Sequence, residues 1–277
     1  MSGNVVSDGA RLSFSDTGSG LPVVFLHPTP LDREFWRPLT REFAGIRAVV
    51  PDLRGHGLSE LGTSLPIGNF ARVPNAPVLT MEQLADDVVA ILDALQIPWA
   101  IFAGCSIGGY VLLELWRRAP QRVRGLAFIC SKPQPDSEAN QARRAETIAT
   151  VQAQGVTAFF DGMALNMVSP TIRSERPDVV GEVRAQMTLT PEAVVAVQAG
   201  LAVRPDSVPT VATIQAPVLA IAGAEDAGVP PVEMEAFRSV AGRCEFHIVP
   251  EAGHFAAYER PKKVATLMAP WLRQFEA

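Results

Sequence analysis

The chain has 277 residues, 48% of them hydrophobic and 19% charged, with a net charge of −5. This composition excludes a disordered polymer and disfavours nucleic acid or an anionic membrane surface as a partner. The length suits one large α/β domain carrying an inserted subdomain, or two small domains.

Turn signals at Asp8-Gly9 and in Thr17-Gly18-Ser19-Gly20 predict an antiparallel hairpin over the first twenty residues, at a sheet edge. PVVFLHP (22–28) follows as an apolar run and leads into His27-Pro28-Thr29-Pro30. Proline has no backbone N–H, so of the three residues after His27 only Thr29 keeps a donor. Pro30 also biases Thr29 towards extended backbone. EFWRPLTREFA (34–44) is patterned as a helix and IRAVVPDL (46–53) as a strand, with PDLRGHG shaping a turn around Asp52 and Arg54. In TMEQLADDVVAILDAL (80–95), Thr80 and Gln83 carry a capping-box signature. Met81, Leu84, Val88, Ile91, Leu92 and Leu95 then recur at helical spacing. AIFAGCS (100–106) reads as a strand, IGGYVLLELWRRA (107–119) as a helix stopped by Pro120, and RGLAFICS (124–131) as a strand. Unbroken apolar strands are those buried on both faces of a parallel sheet. Their alternation with helices implies right-handed crossovers and a doubly wound α/β sheet.

The rhythm stops at residue 133. Up to 213 the chain carries helical patterns alone, among them KPQPDSEANQARRAETIATVQAQG, AFFDGMALNMV and PEAVVAVQAGLAV, and this segment is expected to pack as a lid over one sheet edge. Alternation resumes with strand APVLAIAGAED (216–226), helix PPVEMEAFRSVA (230–241), strand CEFHIVPEAG (244–253) and helix RPKKVATLMAPWLRQF (260–275). The expected organisation is a core of 1–132 and 214–277 with a helical cap at 133–213.

No stretch approaches ~18 uninterrupted apolar residues, so no membrane span is expected. The first residues lack the basic-then-apolar pattern of a secretory leader. Cys105, Cys130 and Cys244 are odd in number and far apart, which fits reduced thiols in a cytoplasmic protein. None has metal-ligand spacing and there are four histidines, so no metal site is expected.

Gly104-Cys105-Ser106-Ile107-Gly108 is a G-x-S-x-G string between a predicted strand and a predicted helix, the context in which such a serine stands exposed on a sharp turn. Packing of a Gly-rich strand–helix junction is the bland alternative. The helix that follows directs its N-terminus at Ser106, so the Ile107 amide can face a developing oxyanion. A serine hydroxyl needs a base. Of the four histidines, His254 follows a strand and a glycine on the same sheet edge as Ser106, whereas His27 ends an early strand, His56 lies in a turn and His247 is mid-strand. A carboxylate must hold the imidazole in one tautomer. Asp226, at the end of VLAIAGAED, is the candidate, with Glu225 and Asp136 as rivals. The order Ser106, Asp226, His254 is that of nucleophile, acid and base in the α/β-hydrolase arrangement.

PDLRGHGLS, GCSIGG, GAED and PEAGH together resemble the α/β-hydrolase superfamily, closest in phrasing to small bacterial serine carboxylesterases and the enol-lactonase and cofactor-free haloperoxidase branch. The resemblance covers nearly the whole chain outside 133–213. It implies a mostly parallel eight-stranded sheet, helices on both faces and a helical cap after the sixth strand. It also implies a Ser106–Asp226–His254 triad, with Thr29 giving the second oxyanion N–H beside Ile107. Pro28 stands where the family has glycine, and ELGTSLPIGNFARVPNAPVLT (60–80) is longer than the family's link, reading as an idle loop rather than a pocket wall. The implied activity is hydrolysis of a small carboxylic ester through an acyl-enzyme, without a cofactor, by a monomer or small homo-oligomer. Lactone or C–C bond hydrolysis and peracid formation use the same triad. A non-catalytic ligand-binding protein of this fold typically lacks one triad member. Trp36, Phe159, Met163, Met167 and Phe255 are the candidates for a substrate pocket. Core packing is an equal reading for most of these, as for Phe160 and Met187.

Overall fold

The computed structural model describes residues 2–63, 65–70 and 73–276. The expected hairpin forms β1 (Ser2–Ser7) and β2 (Ala10–Gly18), and the apolar runs of the core form β3 (Leu21–Leu26), β4 (Ile46–Pro51), β7 (Ala100–Cys105), β8 (Val123–Ile129), β9 (Val218–Gly223) and β10 (Cys244–Val249). A separate two-stranded pair is formed by β5 (Ile67–Phe70) and β6 (Val73–Pro77). The large sheet is eight-stranded in the order β1-β2-β4-β3-β7-β8-β9-β10. β1–β2 and β2–β4 pair antiparallel, and every other neighbouring pair is parallel. Burial follows position in the sheet. β7 and β9 are buried at every residue, whereas the edge strand β1 alternates exposed with half-buried, the difference between strands covered on both faces and a strand with one face in water.

The helices are α1 (Arg37–Thr40), α2 (Met81–Ala94), α3 (Ile107–Arg118), α4 (Glu138–Gln154), α5 (Thr157–Met167), α6 (Pro170–Glu175), α7 (Val179–Ala185), α8 (Pro191–Ala202), α9 (Val208–Val211), α10 (Pro231–Met234), α11 (Ala256–Glu259) and α12 (Pro261–Arg273). In α2 the Thr80 hydroxyl accepts from the Gln83 N–H, and the apolar stripe Met81, Leu84, Val88, Ile91, Leu92 is buried. The same turn of helix buries Asp87, because the guanidinium of Arg54 grips both its carboxylate oxygens at 2.6 and 2.8 Å. Two expected helices are shorter than their patterns. Residues 33–36 form a 3-10 turn before α1, with Pro38 in the first turn of α1, where its missing N–H is harmless. α10 likewise tightens into a 3-10 turn at 235–239.

Between β8 and β9 the chain forms α4 to α9. α8 is buried at every residue from Ala193 to Ala202 and is the centre of this layer. The 60–80 link does not wall the cavity described below, and it is not idle either. Residues 64, 71 and 72 of it lie outside the described residues. The rest pairs as β5 and β6 and then buries Val78 and Leu79, whose N–H donates to the Ala196 carbonyl of α8 at 3.0 Å. Among the described residues, no helix is long and apolar enough to cross a membrane.

Candidate active site

Ser106 sits between the last residue of β7 and the first of α3 with φ +53° and ψ −116°, a conformation that costs a non-glycine residue strain energy. The neighbouring glycines allow this turn. A Cβ on Gly104 would fall 2.4 Å from the Gly108 carbonyl carbon, and one on Gly108 would fall 2.2 Å from the Leu26 carbonyl oxygen. The strand–turn–helix therefore closes tightly enough to lift Ser106 to the carboxyl edge of the sheet. Its own N–H is tied to Ile129 at 3.1 Å, and its carbonyl accepts the Ser131 hydroxyl at 2.8 Å. Ile107 is the first helical residue, so its N–H has no partner within the helix.

Asp226 lies three residues beyond β9 and His254 five beyond β10. His254 Nδ1 is 3.0 and 2.9 Å from the two Asp226 carboxylate oxygens. Asp226 also accepts the Gly228 and Val229 N–H groups, each at 2.8 Å. With its Nδ1 hydrogen directed at a carboxylate, the ring keeps Nε2 as the free acceptor. Burial works against the imidazolium, but Asp226 and then Glu259 outweigh it and hold the His254 pKa above its ordinary value.

Glu259 holds the turn that carries His254. It is buried, and one carboxylate oxygen accepts the Gly253 N–H at 2.8 Å and the Ser169 N–H at 3.2 Å, while the other accepts the Phe255 N–H at 3.1 Å. Burial pushes the pKa of this carboxyl up, against those N–H groups. The His254 N–H itself donates to the Met167 carbonyl at 2.9 Å. The residues that flank His254 are thus fastened to each other and to the segment between α5 and α6.

The loop after β3 is held by two other histidines. His27 Nε2 accepts the Leu53 N–H at 2.9 Å, so its Nδ1 hydrogen points to the Pro28 carbonyl at 3.0 Å. His56 Nδ1 donates to the Arg54 carbonyl at 2.9 Å, which leaves Nε2 to accept the Thr29 hydroxyl at 2.9 Å. Both rings are fully buried. Burial, with the charge of Arg33 pushing the same way, lowers the His27 pKa to about 4, and burial with the neighbouring His27 lowers His56 to about 3. They are neutral scaffolds. The Thr29 side chain is therefore occupied, while its N–H has no protein acceptor among the described residues.

A cavity of about 250 Å³ opens over these groups, with Thr29, Ser106 and His254 in its wall. Phe159, Met163 and Met167 also line it, one face of α5 at four-residue spacing. Trp36 and Phe255, taken from the sequence as pocket candidates, do not. Trp36 is 0% exposed and packs on Phe25 and Phe35 at 5.3 and 4.9 Å, and Phe255 is 0% exposed against Phe35 at 5.8 Å. Removing these large rings wholly from water to the core stabilises the fold more than half-burial in a pocket wall would. Phe160 and Met187 are likewise buried away from the cavity. The rival acids have other partners: Asp136 binds Arg144 and Arg204, and Glu225 accepts the N–H and hydroxyl of Thr171. His247 lies within β10, beside Ile221 of β9. Cys105 is buried, and burial followed by the charge of Asp226 drives its thiol pKa well above the ordinary range, so it stays a neutral packed group. Sequence reasoning missed Glu259 and the scaffold roles of His27 and His56, whose partners are up to 90 residues away along the chain.

Comparison with known proteins gives concordant matches. The model of a family described as the alpha/beta hydrolase family matches residues 23–267. The solved structure of a thermophilic esterase from Thermogutta terrifontis, with malate bound, superposes with a TM-score of 0.88 at 31% identity over 99% of this chain and 97% of that one. A 3-oxoadipate enol-lactonase of Acinetobacter baylyi is 30% identical over 76% of this chain and 73% of its own length. A 2-hydroxymuconate semialdehyde hydrolase of a Pseudomonas species is 26% identical over 99% of this chain and 94% of its own length.

Proposed function

Because the chain belongs to the alpha/beta hydrolase family, we propose that it is a serine hydrolase that cleaves a small carboxylic ester through an acyl-enzyme. The observation that carries this reading is His254, paired with the buried Asp226 and with Nε2 left as acceptor, in the same cavity wall as a serine held at φ +53°. The helical segment 133–213 acts as the cap of this site.

In the proposed sequence, His254 Nε2 takes the Ser106 proton as Oγ attacks the ester carbonyl. The Asp226 carboxylate stabilises the imidazolium that forms and keeps its orientation. Charge developing on the carbonyl oxygen falls to the N–H groups of Thr29 and Ile107, neither of which has a backbone acceptor among the described residues. The tetrahedral adduct collapses, His254 returns the proton to the leaving alkoxide, and an alcohol departs. Water, deprotonated by His254, attacks the acyl-enzyme through the same steps and releases a carboxylic acid. A cavity of about 250 Å³ is below the ~300–1,000 Å³ of sites for drug-sized ligands, which favours a short substrate. Lactone hydrolysis is the second reading, favoured by the likeness to the enol-lactonase, and differs only in that the leaving alkoxide stays tethered to the acyl group.

A fluorophosphonate should label Ser106, and Ser106→Ala should abolish both labelling and hydrolysis of p-nitrophenyl butyrate. Normal turnover by Ser106→Ala would overturn the mechanism. Esters of graded chain length, lactones, a C–C diketone and a peracid assay, run on one preparation, separate the chemistries that share this triad.

A further inference from the structure

The cavity wall is divided. α5 gives it Phe159, Met163 and Met167, whereas α4 gives it Asn140, Arg143, Arg144 and Thr147, which fall on one helical face at i, i+3, i+4 and i+7. The charges on the polar side do not cancel. Lys132, in the wall, is paired with Glu233. Arg144 is fixed by Asp136 and by the Gln198 side-chain Oε1 at 2.8 Å, and Asp136 also binds the buried Arg204 at 2.6 Å, so two arginines share one carboxylate. Arg143 has no ion-pair partner and its side chain makes no hydrogen bond among the described residues, although it lines the cavity. The wall itself carries Lys132, Arg143 and Arg144 against one acid, Asp136; counted with the partners behind it, Arg204 and Glu233, four cations face two acids.

Lys132, Arg144 and Arg204 are each held by a carboxylate, whereas Arg143 takes part in no ion pair among the described residues. Arg143 is an exposed residue, and a guanidinium left open in the wall of the cavity that also holds Ser106 is suited to a planar anion, because its N–H fork matches the two oxygens of a carboxylate. Thr147 cannot assist as a donor, since its hydroxyl is bonded to the Arg143 carbonyl at 2.9 Å. Asn140, one turn earlier, has a side-chain amide that makes no hydrogen bond among the described residues, its backbone N–H being taken by the Ser137 cap. We propose that the substrate carries a carboxylate apart from its scissile ester, bound by Arg143 with Asn140, while its hydrocarbon part lies on Phe159, Met163 and Met167. This rests on the serine-hydrolase reading for the position of the scissile bond, and adds the class of substrate: small monoanionic esters or lactones.

The test compares monoethyl with diethyl succinate, glutarate and adipate, which place the carboxylate on the acyl side, and O-acetylglycolate with its ethyl ester, which place it on the alcohol side. In one of the two arms the anion should exceed its neutral partner in kcat/KM by tenfold or more. Arg143→Gln should lower that ratio by about ten- to a hundredfold, the value of a charge-assisted pair, with Arg143→Lys intermediate. A ratio near one in both arms, or a ratio unaltered by Arg143→Gln, overturns the proposal. Calorimetry with glutarate and with glycolate separates the two readings. If no ester is turned over, the serine-hydrolase reading fails. Glutarate or glycolate binding that Arg143→Gln removes would still support the carboxylate site, and no binding of either would overturn it too.

Discussion

Replacing Glu259 by glutamine removes one charge and almost no volume. The carboxylate accepts three backbone N–H groups, from Gly253, Phe255 and Ser169. A glutamine that keeps its oxygen toward Gly253 and Ser169 must turn its NH₂ toward the Phe255 N–H, so at least one charge-assisted bond becomes a donor facing a donor. Such a bond is worth about 1.5–3 kcal/mol, and at ~2 °C per kcal/mol for a chain of this size the midpoint of thermal unfolding should fall by about 3–6 °C. Activity should respond separately. Glu259 is among the charges that raise the His254 pKa, after Asp226, and the proposed base must be neutral to act. Loss of the Glu259 charge lowers that pKa, so the acid limb of the kcat/KM profile for p-nitrophenyl butyrate should move to lower pH. The plateau should fall as well, since His254 loses the ties on both its neighbours and misplacement by ~1 Å can cost 10²-fold. Thermal unfolding and the pH profile, measured on one preparation, check the two effects. An acid limb that stays in place while the midpoint falls would refute the electrostatic part, and an unchanged midpoint would refute the structural part.

Thr29→Pro, which deletes the proposed oxyanion donor, should lower kcat by about 10²–10³-fold. Thr29→Ala keeps that N–H but orphans the buried His56 Nε2, and should instead cost about 1–3 kcal/mol of stability in a denaturant titration. The two scaffold histidines also predict an acid limit. Their folded pKa values, about 4 for His27 and about 3 for His56, lie below the unfolded value of 6.5, so the unfolded chain binds more protons in this window. Stability is full above pH 6.5 and is lost as pH falls from there toward 4 and then 3. His56→Gln should flatten the plot of unfolding free energy against pH in that window, and an equally steep plot would exclude His56 as a source of the effect.

The parts of the fold legible in the sequence were those written in local periodicity. Unbroken apolar runs identified β7, β8 and β9, because a strand covered on both faces needs no polar alternation. The Thr80 cap and the stripe that follows it marked α2. Ser106, Asp226 and His254 were legible because each follows the end of a strand, and parallel strands bring their ends to one edge whatever the distance along the chain. The two shortened helices were misjudged at their boundaries, where 3-10 and α hydrogen bonding compete and apolar spacing scarcely distinguishes them.

By itself, then, the sequence determined the α/β order, the helical segment between β8 and β9, and the residues at the sheet's carboxyl edge. Only the tertiary structure decided which aromatic rings face the cavity, sending Trp36 and Phe255 to the core and α5 to the wall. It alone decided that Asp136 answers to two arginines while Arg143 answers to none. It also decided that Glu259, His27 and His56 support the site without lining it. The reason is physical: periodicity records which side of an element is buried, whereas the partner of a buried polar group is set by three-dimensional packing between segments distant in the chain.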